Sequence, residues 1–466
     1  MNEFSDSIPT APGASPLLGH LVSLIRRPFA FLSSLPAHGD LVRVRLGPAK
    51  IVIACDPELT RQILLDDRTF DKGGLMFDRA REWLGDGLGT CPHSRHRRKR
   101  RLAQPAFHHA RMPDYAHAMV THAASVVDNW STGQVLDIYP EMMTITSTTF
   151  GTAMFHTDLP SRVLHQMLVD LTTLIAGTTR RMVLPAALAR LPTPGNRRFT
   201  HANTRLRRTL SDFIAERRAS GIDHGDLLSA LMIAQSLDNN EQALSDSELI
   251  DAAVTFFGGG TDSTAATLAW ALYLVATHPD VGDRLHAEVD EVLAGRRPEY
   301  TDLDRLELTG RIVTETLRQY PPGSLFTRSV TTDTELGRHF LSAGTTIAYS
   351  PYLIHHLPDL YEDPNRFDPD RWLTGHTNPP PSGFIPFSAG ARKCIGDNFG
   401  TNEATLALAT IAARWRLQPI PGLRVRPTLS VPTKPAGLRL RVIDRARTRS
   451  RSSGTRHRSA NIPRGY

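Results

Sequence analysis

The sequence has little cysteine, and its N-terminal region has only a brief hydrophobic run. Its 466 residues include three cysteines, Cys55, Cys91 and Cys394, which provide no even framework of disulfide bonds. This usage is typical of a protein in a reducing cytoplasm. The apolar stretch from Leu17 to Ile25 is too short to span a bilayer, and no small-residue cleavage site follows it. We therefore expect a cytoplasmic protein without a membrane anchor.

Acidic residues are absent from the C-terminal tail, which carries seven arginines from Arg445 to Arg464. The formal net charge of the chain is +7, and the other 47 basic residues balance the 47 acidic ones. The tail is rich in serine and poor in apolar residues, so we expect residues 444–466 to be disordered. Residues 1–8 are expected to form a flexible N-terminus, which leaves one domain over residues 9–443. The tail makes nucleic-acid binding an alternative function, although no nucleic-acid partner is expected.

One cysteine lies between two glycines and two cations, directly before an apolar helix predicted from Ile395 to Trp415. The segment Phe387–Gly396 reads F-S-A-G-A-R-K-C-I-G. The positive N-terminal end of the helix would stabilise a thiolate at Cys394. Gly390 permits a turn with positive φ. The pattern indicates a thiolate metal ligand, whereas a lone cysteine is more often a small buried hydrophobe.

The pattern F-x-x-G-x-R-x-C-x-G resembles the haem-binding loop of the cytochrome P-450 monooxygenases. The resemblance implies haem b (iron protoporphyrin IX) as the cofactor, with Cys394 as the axial ligand of its iron. It also implies that the other matching positions bind or shield the haem: Phe387, Gly390, Arg392 and Gly396. The implied fold is mainly α with small β-sheets (α+β), built as a single large domain.

A basic run from Arg95 to Arg101 predicts a short amphipathic helix. Aromatic residues do not interleave it, which disfavours a stacking platform for nucleic acid. The run resembles the family's H-x-x-x-R helix, with His96 and Arg100 one turn apart on one face. The resemblance implies that these two residues bind the haem propionates together with Arg328 and Arg392. The cations that face away would form a docking surface for an acidic electron-transfer protein.

Three consecutive glycines, residues 258–260, lie inside a stretch of helical periodicity. Each costs roughly 1 kcal/mol relative to alanine in a helix. Either the helix lies against a planar cofactor with a locally opened hydrogen-bond ladder, or a glycine-rich loop breaks it.

The six residues from Gly259 to Thr264 resemble the family's oxygen-activation motif. The resemblance implies cofactor contacts for two of them, Gly259 and Gly260, and catalytic roles for three, Asp262, Ser263 and Thr264. Ser263 replaces the usual threonine and lacks its β-branch, so we expect a less firmly placed hydroxyl.

A carboxylate and a guanidinium, Glu315 and Arg318, lie three residues apart on one predicted helix. Alone, such a pair is a common surface feature. The later segment P-x-x-F-x-P-x-R-W also resembles the family, and this implies that both residues join Arg371 in a buried ion triad. We expect this triad to support the cysteine loop and to have no catalytic role.

The implied activity is insertion of one oxygen atom of O2 into a hydrophobic small molecule, with Asp262 and Ser263 relaying protons. We expect no flavin or iron–sulfur domain beside the haem domain, so the electrons are expected from a ferredoxin and its reductase. Segments between residues 180 and 199 resemble bacterial members that oxidise sesquiterpenes. Candidate substrate-lining residues are Phe70, Leu75, Met76, Phe77, Leu88, Phe256, Phe257, Leu325 and Phe326.

Several alternatives remain open at this point. The substrate is alternatively a fatty acid or a macrolide, and the oxidant is alternatively hydrogen peroxide, as in a peroxygenase. A non-catalytic haem sensor is the alternative outside enzymes. We expect a monomer.

Overall fold

Helices dominate the computed structural model, which describes residues 8–155, 160–182, 188–189, 191–236, 244–375 and 379–445. Its α-helices are α1 Leu21–Arg26, α2 Pro28–Ser34, α3 Pro57–Leu65, α4 Gly74–Leu84, α5 His93–Ala103, α6 Met112–Val127, α7 Ile138–Phe155, α8 Ser161–Met182, α9 Pro194–Ser220, α10 Leu227–Ser236, α11 Asp246–Thr277, α12 Pro279–Leu293, α13 Glu307–Gln319, α14 Pro351–His355 and α15 Asp397–Arg414. Short 3-10 helices span Leu35–His38, Gln104–Phe107, His109–Arg111, Tyr300–Asp302, Pro369–Trp372 and Gly390–Arg392.

None of the helices in these ranges combines the length and apolar character needed to cross a bilayer. Most of the predicted tail, residues 446–466, and most of the predicted N-terminal segment, residues 1–7, lie outside the described residues. Their predicted disorder stays a prediction.

Small sheets lie beside the helices. The strands are β1 Leu41–Leu46, β2 Ala49–Ala54, β3 Phe70–Asp71, β4 Val135–Asp137, β5 Phe326–Val330, β6 Thr334–Leu336, β7 His339–Leu341, β8 Thr346–Tyr349, β9 Trp415–Pro419, β10 Arg426–Pro427, β11 Pro435–Ala436 and β12 Arg439–Asp444. The largest sheet has the order β1-β2-β8-β5-β3, and β4, β12 and β9 form a second. The sequence predicts strands from Leu41 to Leu46 and from Ile51 to Ala54, joined by Gly47-Pro48. This hairpin forms, with Leu41 opposite Ala54, although β2 begins two residues earlier, at Ala49.

The long helix α11 runs through the core and packs against α7, α9, α13 and α15. A capping box begins it, in which Ser245 and Glu248 bond each other's backbone N–H groups. The helix is continuous through the glycines at 258–260, so the alternative of a glycine-rich loop is wrong. Close packing explains one of them, because a Cβ on Gly260 would lie 2.2 Å from the Phe150 ring of α7.

A fully buried ion pair joins α13 to the segment that leads to the cysteine loop. The Nε and Nη2 atoms of Arg318 donate to the two carboxylate oxygens of Glu315 at 2.8 and 2.7 Å, and both side chains have no exposed surface. Glu315 also accepts from Trp372 Nε1 at 2.9 Å. Arg371 completes the triad more loosely, with its Nε 3.6 Å from Glu315. The interior therefore satisfies every oxygen of this carboxylate.

His355 connects this pair to the cysteine loop. Its Nε2 accepts from the backbone N–H of Ile385 at 2.9 Å, so its Nδ1 carries the proton and donates to the Arg318 carbonyl at 3.1 Å. Burial, the neighbouring His356 and the charge of Arg318 hold the pKa of His355 well below its usual range. This neutral imidazole keeps a fixed tautomer, and sequence reasoning did not find it.

We predict that Arg318→Met destabilises the holoprotein by about 3–5 kcal/mol, because it leaves the buried Glu315 carboxylate without a charged partner. Urea unfolding followed by circular dichroism measures the change. The control is Arg61→Met, which breaks an exposed pair with Glu58 of the same sequence spacing and should leave the unfolding midpoint unchanged. Equal midpoints for the two variants would contradict a structural role for the buried pair.

Candidate functional site

The cysteine loop is held by backbone hydrogen bonds within the loop. The N–H of Cys394 donates to the Phe387 carbonyl at 2.9 Å, and that of Lys393 donates to the Gly390 carbonyl at 3.1 Å. Gly390 has a φ of 65°, as the sequence predicts, and a Cβ there would lie 2.4 Å from the Leu64 carbonyl oxygen. Only glycine fits both conditions. The helix that follows begins at Asp397, two residues later than predicted.

The side chain of Cys394 is accessible although it lies deep among protein atoms, which is consistent with a position on the wall of an internal cleft. Burial raises the pKa of the thiol; the backbone N–H of Gly396 and the charges of Arg100 and Lys72 act in the opposite direction. Without a metal the balance favours the protonated thiol, while the N–H of Gly396 at the helix end acts in the predicted direction. A metal that binds here has to displace the proton.

Cationic side chains gather beside this cleft without protein anions to neutralise them. Arg328 is 1% exposed, and its guanidinium lies 5.6 Å from the centre of the Phe77 ring. The Nζ of Lys72 lies 4.5 Å from the centre of the same ring. Among the described residues, neither cation has a carboxylate within ion-pair distance. Buried cations require a counter-charge, so this cluster fits the carboxylates of a bound cofactor.

The sequence analysis did not identify Lys72, because the residue does not belong to a recognised motif. Burial and the nearby charges of Arg328 and Arg392 hold its pKa well below the usual range. A bound carboxylate would restore its charge.

The two residues predicted on α5 face the same region. His96 is buried, and burial together with the charge of Arg392 lowers its pKa to about 3. Its imidazole is therefore neutral at pH 7 and offers an N–H donor. Arg100 donates from Nη1 to the carbonyl of Lys393 at 2.5 Å, which places its guanidinium beside the cysteine loop. Both can supply hydrogen bonds to a carboxylate at this edge of the cleft.

Arg392 differs from the other cations because the protein already neutralises it. It donates to Asp67 at 2.6 Å, to Asp71 at 2.8 Å and to the Cys91 carbonyl at 2.8 Å. Burial alone would raise the pKa of Asp67, but hydrogen bonds from Arg392 and His93 lower it. Three of the five N–H groups of Arg392 are thus used. The structure makes this residue an anchor of the cysteine loop, and the predicted propionate contact would have to use its other two N–H groups.

One face of α11 is open. Gly259 is exposed in the middle of a buried helix, and a Cβ there would meet nothing within 4 Å. One turn later, Ser263 donates from its hydroxyl to the Gly259 carbonyl at 2.7 Å, so the serine hydroxyl has a defined position despite the missing β-branch. Gly260 belongs to a different face, since Phe150 occupies the space beside it. The predicted cofactor contact is therefore available at Gly259 and not at Gly260.

The three predicted catalytic residues point in different directions, because consecutive helical residues lie about 100° apart. Asp262 is buried and accepts a hydrogen bond from the hydroxyl of Tyr139. Its other oxygen lies 3.1 Å from Lys434 Nζ. Thr264 is also buried and faces α15, where a Cβ on Gly400 would lie 3.4 Å from its Oγ1. Only Ser263 shares the open face with Gly259, so the structure does not bring Thr264 to this face.

The sequence analysis missed a buried acid on α15, Glu403. The signal that could have revealed it is a single glutamate within an apolar stretch of the helix. Glu403 has no exposed surface, and neither of its oxygens has a well-aligned hydrogen-bond partner among the described residues. Burial raises its pKa well above the usual range, although the hydroxyls of Thr149 and Thr264 nearby act in the opposite direction. Glu403 is therefore a neutral acid next to the motif of α11.

The predicted substrate-lining residues divide into two groups. Phe70 and Phe257 are packed in the hydrophobic core, and the cations beside Phe77 cover its ring, so these three do not line a substrate space. Phe256 packs edge-on against Phe107, with ring centres 5.5 Å apart. Partly exposed side chains remain as lining candidates: Leu75, Met76, Leu88, Leu325 and Phe326.

We predict that Glu403→Gln increases stability more at about pH 8 than at about pH 5. The native carboxyl keeps its proton to higher pH than the unfolded chain does, so wild-type stability falls as pH rises above the unfolded pKa of about 4.3. Glutamine cannot ionise and avoids this loss. Thermal unfolding of both holoproteins at the two pH values measures it. A difference in melting temperature that does not vary with pH would contradict a neutral native Glu403.

Comparisons with known proteins agree with this geometry. The family model "Cytochrome P450" matches residues 9–440. Cyclooctat-9-en-7-ol 5-monooxygenase of Streptomyces melanosporofaciens is 45% identical over 89% of this chain and 90% of its own length. Pentalenene oxygenase of Streptomyces avermitilis is 42% identical over 94% of this chain and 97% of its own length.

Among solved structures, the crystal structure of the cytochrome P450DA heme domain superposes with a TM-score of 0.85 and 28% sequence identity. It covers 94% of this chain and 97% of that one. The predicted fold, mainly α with small sheets in a single large domain, is confirmed. Because one family model spans nearly all of the described chain and its relatives match over most of their length, the chain belongs to the cytochrome P450 family of haem-dependent monooxygenases.

Proposed function

We propose that this monooxygenase oxidises a cyclic terpenoid, of sesquiterpene size, in bacterial secondary metabolism. The observation that carries the proposal is the similarity to two Streptomyces enzymes over about nine tenths of the chain, at 45% and 42% identity. Their names specify cyclooctat-9-en-7-ol and pentalenene as the molecules oxidised. The partly exposed apolar residues Leu75, Met76, Leu88, Leu325 and Phe326 suit such a substrate, because they offer contact area without hydrogen-bond partners.

Different side chains are assigned to binding the haem and to transferring protons. Haem, when held by the Cys394 sulfur, would supply the activation of O2. His96, Arg100, Arg328 and Lys72 hold the propionates in this proposal. Among the described residues, neither Arg328 nor Lys72 has a carboxylate within ion-pair distance, and Arg100 lies beside the cysteine loop through its hydrogen bond to the Lys393 carbonyl. Arg392, with Phe387, Gly390 and Gly396, shapes the loop that presents the sulfur. We assign the haem-facing contact to Gly259 and leave Gly260 to helix packing.

Proton delivery is assigned to the other end of the same motif. Ser263 presents its hydroxyl on the open face and Asp262 stores a proton behind it. Thr264 is assigned a supporting role at the contact between α11 and α15.

A basic surface cleft supports an acidic electron donor, which we propose to be a ferredoxin reduced by its own reductase. The cleft has a volume of about 1290 Å³. Its cationic and histidine lining residues come from α5 and the segment after it: His93, His96, Arg97, Arg98, Arg100, Arg101, His108 and Arg111. Asp67 is the one acid among the residues that line it. Charge complementarity of this kind speeds the encounter with an acidic protein.

Part of the basic run is already paired with acidic residues of the protein. Lys99 lies 3.0 Å from Glu248 and 3.4 Å from Asp86, and Arg98 lies 3.0 Å from Glu248. Arg95 lies 2.5 Å from Asp86. We therefore restrict the proposed docking surface to the cations that line the basic surface cleft outside these pairs, which leaves out Arg98. We further propose a monomeric protein in the cytoplasm, with its domain over residues 9–443.

We predict that the holoenzyme binds pentalenene with a Kd of about 10⁻⁶ M, measured as the absorbance shift that follows displacement of water from the iron. Gly259→Val should weaken this binding at least about tenfold, because the valine side chain enters the open space above the cofactor. The control is Gly310→Val on α13, where a Cβ also meets nothing within 4 Å.

Stronger absorbance shifts with a fatty acid or a macrolide would contradict the terpenoid assignment. Stronger binding of cyclooctat-9-en-7-ol than of pentalenene would change the proposed substrate to a larger terpenoid alcohol. Turnover of the bound terpene with reduced ferredoxin separates a monooxygenase from a haem sensor. Product from hydrogen peroxide alone would favour the peroxygenase alternative.

A further inference from the structure

Four large apolar side chains project into solvent from the short hydrophobic run near the start of the domain. Leu17 is 87% exposed and Ile25 is 66% exposed, and Leu18 and Val22 between them are also exposed. Val22 and Ile25 lie three residues apart on one face of α1, whereas Leu24 is buried. We call the four exposed residues the apolar patch. Single exposed leucines are common, but a group of this kind usually marks an interaction site.

A tight turn directs the two leucines of the patch away from the core. The N–H of Ser15 donates to the Gly19 carbonyl at 2.9 Å, and the N–H of Gly19 donates to the Ser15 carbonyl at 3.0 Å. Gly19 has a φ of 59°, and a Cβ there would lie 2.4 Å from the Arg45 carbonyl oxygen. Only glycine satisfies both conditions. Residues 16–18 therefore form the tip of the turn.

The hairpin of β1 and β2 holds this turn in place. Arg45 donates from Nη2 to the carbonyls of Ser15 and Pro16 at 3.0 and 2.6 Å. The N–H of Gly47 donates to the Leu18 carbonyl at 3.1 Å. The turn could bring its leucines toward the core only by breaking these hydrogen bonds. The exposure of the leucines is therefore imposed by the fold.

Positive charge borders the apolar patch, and negative charge is absent from this part of the chain. Arg26 and Arg27 are exposed at the end of α1, and Lys50 is exposed opposite Arg45 on the neighbouring strand. Among the described residues, none of the three exposed cations has a carboxylate within ion-pair distance. The sequence contains no acidic residue from Ile8 to Gly39. The patch therefore suits a partner that is apolar inside and negatively charged at its surface.

We propose that the apolar patch binds the surface of a membrane that contains anionic lipids. The leucines of the turn and the outer face of α1 enter the boundary between head groups and acyl chains, and the exposed cations contact lipid phosphates. A stable protein interface buries about 800 Å² on each partner and needs a matching shape. A bilayer needs no matching shape, so a projecting turn and a helix of six residues are sufficient. We expect the binding to be reversible.

Flotation of the haem-loaded, full-length enzyme with lipid vesicles tests this proposal. We expect binding to vesicles of equal parts phosphatidylglycerol and phosphatidylcholine, and weaker binding at high salt because salt screens the cations. The double variant Leu17→Ser, Leu18→Ser should weaken this binding at least about tenfold, because it removes the apolar area that enters the lipid. The double variant Arg26→Gln, Arg27→Gln should also weaken it at least about tenfold and should reduce its dependence on salt.

The control is Ile222→Ser, which removes a side chain of similar exposure, 58%, between α9 and α10 and should leave vesicle binding unchanged. Absence of binding to the anionic vesicles would overturn the proposal, as would wild-type binding by the folded leucine variant. Analytical ultracentrifugation without lipid provides a further test. A wild-type dimer that becomes monomeric in the leucine variant would also overturn the proposal, because the patch would then bind a second copy of the chain.

Discussion

The paired hydrogen bonds between Arg318 and Glu315 are the interaction on which the position of the cysteine loop depends. Arg318 also fixes His355, whose imidazole accepts from the backbone of Ile385, and the Ile385 carbonyl in turn accepts from Ser388 at 3.0 Å. The neighbouring Phe387 carbonyl accepts from Cys394. A nearly unbroken series of hydrogen bonds thus runs from a charged pair in the core to the backbone N–H of Cys394. Such a series holds a ligand rigidly, because its rupture would leave unpaired polar groups in the interior.

The second constraint is the geometry of the α-helix, in which the side chains of consecutive residues point about 100° apart. Four of the five positions from Gly260 to Thr264 on α11 contact different neighbours: Gly260 admits the Phe150 ring, Asp262 contacts Tyr139 and Lys434, Ser263 lies on the open face beside Gly259, and Thr264 faces α15. A short sequence motif therefore encodes several separate contacts. The cations beside the cleft need a negative counter-charge. Asp67 and Asp71 supply it for Arg392, whereas no carboxylate of the described residues supplies it for Lys72 or Arg328. A cofactor with two carboxylates completes this charge balance.

Sequence reasoning recovered the parts of the site that are local in the chain. The cysteine loop, its glycine with positive φ, the helix that follows and the hairpin of β1 and β2 all depend on neighbouring residues, whose preferences can be read directly. The parts that depend on distant contacts were missed or misassigned. Lys72 and Lys434 lie in segments without a motif. The ion pairs of Arg392 with Asp67 and Asp71 could not be predicted either, because they join residues that are distant in the sequence. Gly260 looked like a cofactor contact because the sequence does not reveal Phe150 beside it.

The account depends most directly on Cys394 as the ligand of the haem iron. The absorbance difference spectrum of the reduced protein with and without carbon monoxide tests this, measured for the wild type and for Cys394→Ala. The account predicts that the wild type gives the red-shifted Soret band of thiolate-ligated haem and that the variant lacks this band. The same band in Cys394→Ala, or a wild-type protein that takes up no haem when supplied with it, would contradict the account.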